Sequence, residues 1–527
     1  VALEGLGELS FLGESFHTDQ AICLTSDAEF AAEALSQAIQ ANIVEYNDDG
    51  IYRFTHETHR LLLAKNLAGK ESEVHSRVYR CLKKMQPTAH ALMAHHLVKC
   101  GEIEEGVIHL AISYIRLLQE LKDPVQYVPI DDLTLIREGE CFETIRVFDK
   151  AYRLFNQNMF MAAIDMLDQV DLGAPEIILV ERDYLVCLCK MELHNRTASR
   201  EALDLLVSWE FLLEKGEIEA WARIAALSIQ CLVLLGQISE ARSREVLLSQ
   251  TLRNNAKSDP KLLHILFVLN RKAAAIKSPP VALRAISKSV AFFSGQQGDR
   301  EPVNIIELYR SQVNRAACLI NNGLYQAAFE QCSEVTTLLE KYSYVDFPRL
   351  DLLMNNAVIA AFRSGLITAG QAIKQQSEVI DSQHCTEDDH IHRCNLIALQ
   401  ILSGHLTDAR ESLSSLELEI EKKQISEIYI IYNFLSNKLA IRIAENDEHG
   451  FRETLNLLAS VLSDTELPAK SLINRRLSLM GDSYDELKKL PLQALDYHFH
   501  RSNLEGDPWK FYGSITALCE LQFWASV

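Results

Sequence analysis

One eleven-residue window holds an unusual concentration of metal-binding and nucleophilic side chains: His384, Cys385, His390, His392 and Cys394. Thiolates and imidazoles are the ligands of zinc. On a helix His390 and Cys394, four apart, would share one face. The spacing nevertheless argues against structural zinc, which draws its ligands from two separated knuckles. Glu387, Asp388 and Asp389 read as the acidic first turn of a helix. The expectation is therefore a solvated loop leading into a helix and no bound metal, with Cys385, His390, His392 and Cys394 as the residues to watch. His95 and His96 are adjacent, and His498 and His500 are two apart. On helices each pair diverges to different faces, which fits structural or surface roles. No G-x-S-x-G nucleophile elbow occurs. No G-x-x-x-x-G-K-[ST] phosphate loop occurs either. Ala68-Gly69-Lys70-Glu71 lacks both the upstream glycine and the magnesium-binding hydroxyl. No catalytic residue is expected.

The elements that would position such residues are almost all helices. Near the start, Phe30 to Ala41 has Ala31, Ala34, Leu35 and Ile39 on one face. Asn42–Tyr46 and Ile51–Phe54 flank Asn47-Asp48-Asp49-Gly50, which fits a β-hairpin. Tyr52 and Phe54 alternate on the second strand and should be core. A helix starting near Thr55 and running to about Leu67 completes a winged-helix-like unit over residues 1–70. Connecting helices and a first helix pair follow over 71–125.

From 126 to 527 the sequence reads as a helical-repeat superhelix. A turn residue recurs with a second residue five positions on, small in each case: Gly101 with Gly106, Asn158 with Ala163, Gly236 with Ala241, Gly323 with Ala328, Gly365 with Gly370, and Gly404 with Ala409. The first residue should close helix A in a left-handed cap. The second should let helix B approach it. Helix B then carries stripes such as Ala328, Cys332, Val335, Leu339 and Ala409, Leu413, Leu416, Ile420; Ala163, Leu167 and Val170 begin another. Helix A carries Ile224, Leu227, Cys231 and Leu235. Such a hairpin is apolar on two sides and is stable only when stacked. The later turns are 42 and 39 residues apart, longer than the roughly 34 of a tetratricopeptide. The fold class is all-α: an irregular tetratricopeptide-like solenoid, one continuous curved rod with an exposed concave face. A last candidate pair spans Asp482 to Asn503. Breaks are expected at Lys122-Asp123-Pro124, Ser278-Pro279-Pro280 and Gly295–Gly298.

Composition agrees and excludes several functions. The 527 residues carry 21 glycines and 12 prolines, few turn formers for such a length. Net charge is −20 with no basic run, so general nucleic-acid binding is not expected. Cysteines such as Cys187, Cys189, Cys231 and Cys318 lie in apolar helical text, which fits reduced thiols and a cytoplasmic protein. No apolar run is long enough to span a membrane.

Tyr52-Arg53-Phe54-Thr55-His56-Glu57 followed by Arg60-Leu61-Leu62-Leu63 resembles a strand-to-helix junction of STAND-type signalling ATPases. His75-Ser76-Arg77-Val78, Ala94-His95-His96-Leu97 and Gly101 match the motifs that follow it there, and Phe11–Phe16 resembles the opening of the same unit. The resemblance covers roughly residues 1–120. It implies an ATPase module and an effector upstream of this chain, with ATP or ADP and magnesium bound there and no cofactor here. It implies a repeat arm that binds a protein trigger and self-association on activation. His56 is the residue it points to, as a contact to an ADP phosphate. The alternative expectation for His56 is a helix cap or packing on the hairpin.

The expected function is thus the sensor arm of a STAND-type signalling NTPase, in antiviral defence ahead of transcription control. The rivals are a free-standing adaptor indifferent to nucleotide and an enzyme using zinc at the Cys385 cluster.

Overall fold

The computed structural model describes residues 2–462, except residues 26, 48–50, 121, 123, 125–127, 129, 139–140, 257–258, 260–261, 274–276, 278, 296–303, 346 and 383–389. The expected pair at Asp482–Asn503, with His498 and His500, lies outside the described residues, as do His384 and Cys385.

The first unit packs helices Ala2–Leu9, Thr18–Thr25, Ala28–Gln40 and Glu57–Lys65 around a small antiparallel sheet. Its strands are β1 (Ser15–His17), β2 (Val44–Tyr46) and β3 (Ile51–Phe54), in the order β1-β3-β2. The hairpin has the expected register, Val44 opposite Phe54 and Tyr46 opposite Tyr52. Strand β1, only three residues long, leaves no periodic signal and was not anticipated. Alternation along β3 turns Tyr52 and Phe54 to one face, where both rings meet Phe16. Arg53 points the other way, to Glu14 at 2.5 Å. Asp27 caps the third helix by accepting from the N–H groups of Glu29 and Phe30. That helix buries Ala31, Ala34, Leu35 and Ala38, whereas Ile39 is exposed. The face follows i, i+3, i+4, i+7 from Ala31, and the expectation had placed Ile39 one position too far.

Nine helix pairs follow among the described residues. They are His90–Cys100 with Ile103–Gln119, Phe142–Asn156 with Phe160–Leu167, Glu176–Glu192 with Arg196–Val207, Ile218–Leu234 with Ile238–Asn255, Leu262–Lys272 with Pro279–Phe293, Ile305–Asn321 with Tyr325–Lys341, Leu350–Arg363 with Ala369–Ile380, His390–Leu402 with Leu406–Lys423, and Ile428–Ala444 with Glu448–Leu462. All six turn residues read from the sequence have positive φ, between 61° and 97°. Each is followed by an N–H that reaches back five residues, as in Glu102 N to Leu97 O and Leu324 N to Leu319 O, both 2.9 Å. This is the cap that satisfies the last orphan carbonyls of a helix.

The small position also holds at most turns. Ala163, Ala241, Ala328 and Ala409 are fully enclosed. A Cβ on Gly106 would sit 2.8 Å from Val98 Cγ2. Gly370 is the correction, because a Cβ there would meet open space. Thr368 and Gln371 form a capping box, which lengthens that turn and hands the close contact to Ala372, fully buried. Pro279 and Pro280 do not break a helix but open one, at the position where a missing N–H does no harm.

In several pairs the first helix is the more deeply buried, as in the fourth. Ile218–Leu234 buries 14 of its 17 residues, whereas its partner Ile238–Asn255 buries one stripe of 5 in 18. First helices therefore line the inside of the curve and second helices its outside. The curve is not an open rod. One apolar core joins residues 180–273 to residues 394–458, so the seventh-last and last pairs meet after one turn of the superhelix.

Candidate functional site

Helix His90–Cys100 is a wall shared by the two parts of the molecule. Met93 and Leu97 belong to the core of the N-terminal unit, together with Leu6, Phe16 and Phe54. Ala94, on the adjoining flank of the helix, belongs to the core of the first repeats. Two buried histidine pairs tie this wall to its neighbours. His75 Nδ1 meets His96 Nδ1 at 2.8 Å, and His90 Nδ1 meets His109 Nδ1 at 3.0 Å. His95 is exposed, so the adjacent histidines diverge as expected. Burial holds the pKa values of the paired rings down, with neighbouring histidines adding to it: His75 to about 4, His96 and His109 to about 3.

Beyond the wall lies a buried ionic cluster on inner helices. Arg116 forms an ion pair with Glu181 at 2.7 Å and donates hydrogen bonds to Glu219. Arg223 donates to Glu181 and to Gln119, each at 2.5 Å. Its guanidinium lies 4.4 Å over the Tyr184 ring. His90 Nε2 stands 3.9 Å from Glu219. Burial alone would push the Glu219 carboxyl up, but Arg116, His90 and Arg223 outweigh it and hold it well below the usual range. Further round the curve the same balance recurs at Glu307. Burial raises its carboxyl, while Arg271 and Arg310 bring it to about 2.

The later inner helices replace ions with amides. His392 Nε2 meets Asp351 Oδ2 at 2.9 Å. Gln376 and Asn395 both donate to Asn355 Oδ1 at 3.0 Å. Asn437 donates to the Cys394 carbonyl at 2.8 Å. Little of this was visible in the sequence, because most partners lie on another helix, from 21 to 104 residues along the chain. The hint available was the presence of Glu181, Glu219, Arg223 and Asp351 inside otherwise apolar helical text.

The residues singled out from the sequence fare differently. His390, His392 and Cys394 lie on helix His390–Leu402 and are buried, while the loop expected ahead of that helix lies outside the described residues. Their burial follows from this being an inner helix. Among the described residues no group of three His, Cys, Asp or Glu side chains is placed to hold a metal ion. His56 is exposed at the N-terminus of helix Glu57–Lys65. Its side chain makes no cap hydrogen bond there, and its ring lies edge-on to His59 at 5.2 Å. A shallow depression on the sheet, lined by Glu14, Ser15, Glu45, Asn47, Ile51 and Arg53, does not include His56, and two carboxylates there suit a phosphate poorly. The buried thiols of Cys189, Cys318 and Cys332 are pushed up to about 12 and are inert. No described helix is long and apolar enough to cross a membrane.

No protein-family model matches the chain, and no curated protein matches it. Among solved structures it is similar to a Signal Transduction ATPase with Numerous Domains (STAND) protein with a tetratricopeptide repeat sensor, from Pyrococcus horikoshii. The TM-score is 0.38 and the identity 15%, covering 80% of this chain and 63% of that one. This chain thus spans less than two thirds of that protein's length.

Proposed function

We propose that this chain is the sensing region of a STAND-type signalling NTPase: a winged-helix-like unit rigidly joined to a repeat arm that binds a protein trigger. The observation that carries this reading is the shared wall. Helix His90–Cys100 sits in two cores at once, so a tilt of the first repeats on ligand binding must displace the N-terminal unit. A mere tether would have its own surface on each side. The junction motifs around His56, His75 and His96 support the same assignment. In this reading the arm performs no chemistry. An upstream module binds ATP or ADP with magnesium, His56 contacts the ADP phosphate, and trigger binding leads to self-association in the cytoplasm. Antiviral defence is the biological setting we favour.

The test uses the native polypeptide. Its intact mass and N-terminal sequence should reveal a nucleotide-binding module ahead of Val1, and the protein should bind ADP. His56→Ala should weaken ADP binding by about tenfold, the order expected for losing a hydrogen bond to a charged group. A native polypeptide that starts at Val1 would remove the reading. ADP binding that is unchanged in the variant would remove the role of His56.

A further inference from the structure

Among the described residues of the arm, most of those held at positive φ are glycine or asparagine, the types that tolerate it. Three are not: His194, Arg349 and Gln424, with φ of 51°, 56° and 53°. Two of these three come together although 230 residues separate them. The His194 carbonyl accepts the N–H of Ser426 at 3.1 Å and of Glu427 at 2.9 Å. His194 Nδ1 meets Glu427 Oε2 at 2.5 Å. The Arg196 N–H donates to Ser426 Oγ at 2.8 Å, and Asn195 Nδ2 donates to the Gln424 carbonyl at 3.4 Å. The His390 ring stands edge-on to His194 at 6.4 Å. This seam lies where the superhelix completes its turn. Other long-range polar contacts, such as Arg116 with Glu219 and Thr88 with Asp259, span shorter stretches of the chain.

We propose that His194 and Glu427 form a releasable clasp that shuts the superhelical turn over its polar inner helices. Three observations support it. His194 occupies a turn position that other pairs give to glycine or asparagine, so the turn itself does not call for a histidine; the contact does. The bond is charge-assisted, the kind that is strong when made yet competes directly with water. Finally, the pair is not sealed in: the two side chains are 25% and 12% exposed, so solvent reaches the contact without unfolding either helix pair. Strained backbone of this sort collects at clamps and switches. The proposal concerns the arm's own states and stands whether or not the arm is a sensor.

The test exploits the strained position. His194→Gly keeps, and relaxes, the left-handed turn while removing the imidazole, and Glu427→Ala removes the other half from a helix N-cap. Hydrogen exchange and small-angle scattering would be measured on the whole chain for both variants. The expected result is exchange at Ser426 and Glu427 faster by about tenfold, the order set by a charge-assisted hydrogen bond. The radius of gyration should rise, and exchange in helix Ala28–Gln40 should stay unchanged. Unaltered exchange and size would show that the pair holds nothing shut. Acceleration spread evenly over the chain would show ordinary packing rather than a clasp. Either result overturns the proposal.

Discussion

At the scale of single residues, the molecule buries charge and imidazole wherever helices from different repeats meet, and each case predicts a measurable consequence. His75, His96 and His109 are held neutral, with pKa values of about 4, 3 and 3. An unfolded histidine titrates near 6.5. Between that value and about 4 the unfolded chain binds protons that the folded chain excludes, so stability increases with pH across this window. The contribution is complete above pH 6.5 and is lost as pH falls. Thermal melting at pH 7, 5.5 and 4.5 should show this loss, and His96→Gln should flatten it. Glu181 makes a second case. It stands between Arg116 and Arg223 with its side chain wholly buried. Glu181→Ala leaves two enclosed guanidinium groups facing each other and should reduce stability by about 3–5 kcal/mol, measured by denaturant unfolding. A loss below about 1 kcal/mol would mean that water reaches the cluster. Sequence reading singled out His75 and His96 but neither His90 nor His109, and it paired none of them. His96 meets a residue 21 positions back, and Glu181 one 42 positions on; neither distance has a periodic signature.

At the scale of elements, much was legible, because a helix pair is specified by local rules. A residue free to take positive φ ends one helix, and a small residue five positions later seats the next. Where both rules act, the turns stand where the spacing put them. Where they are replaced, they were missed: His194 occupies the cap position without being glycine or asparagine, and Asn446 is followed five residues later by Phe451 rather than a small side chain. Gly365 and Gly370 separate the two rules within one turn. Gly365 has φ of 75°, so Gly365→Ala forces a side chain into the left-handed region and should destabilise by about 1 kcal/mol. Gly370 lies inside helix Ala369–Ile380 with open space where a Cβ would go. Gly370→Ala should therefore stabilise by about 0.4–1 kcal/mol, chiefly by restricting the unfolded chain. Opposite shifts in melting temperature from two alanines five residues apart are the outcome to look for. Equal losses would mean that Gly370 does pack against its neighbour.

At the scale of the whole molecule, the sequence led to a curved rod, and the structure closes that curve. Stacking rules describe one repeat and the next, and they are silent about the repeat six places on. Closure changes how the arm should unfold. An open solenoid behaves as a chain of nearest neighbours and frays from its ends. Here residues 180–273 share one apolar core with residues 394–458, and His194 bonds to the backbone of Ser426 and Glu427. The last helix pair cannot leave without breaking into that shared core. Loss of protection at one side of the seam should therefore accompany loss at the other. Native-state hydrogen exchange in rising denaturant tests this directly. Helices Glu176–Glu192 and Ile428–Ala444 should lose protection at the same denaturant concentration, while the N-terminal unit, which has its own core, follows a separate course. If Ile428–Ala444 opens well before Glu176–Glu192, the arm is a row of independent neighbours and its closure contributes nothing to stability.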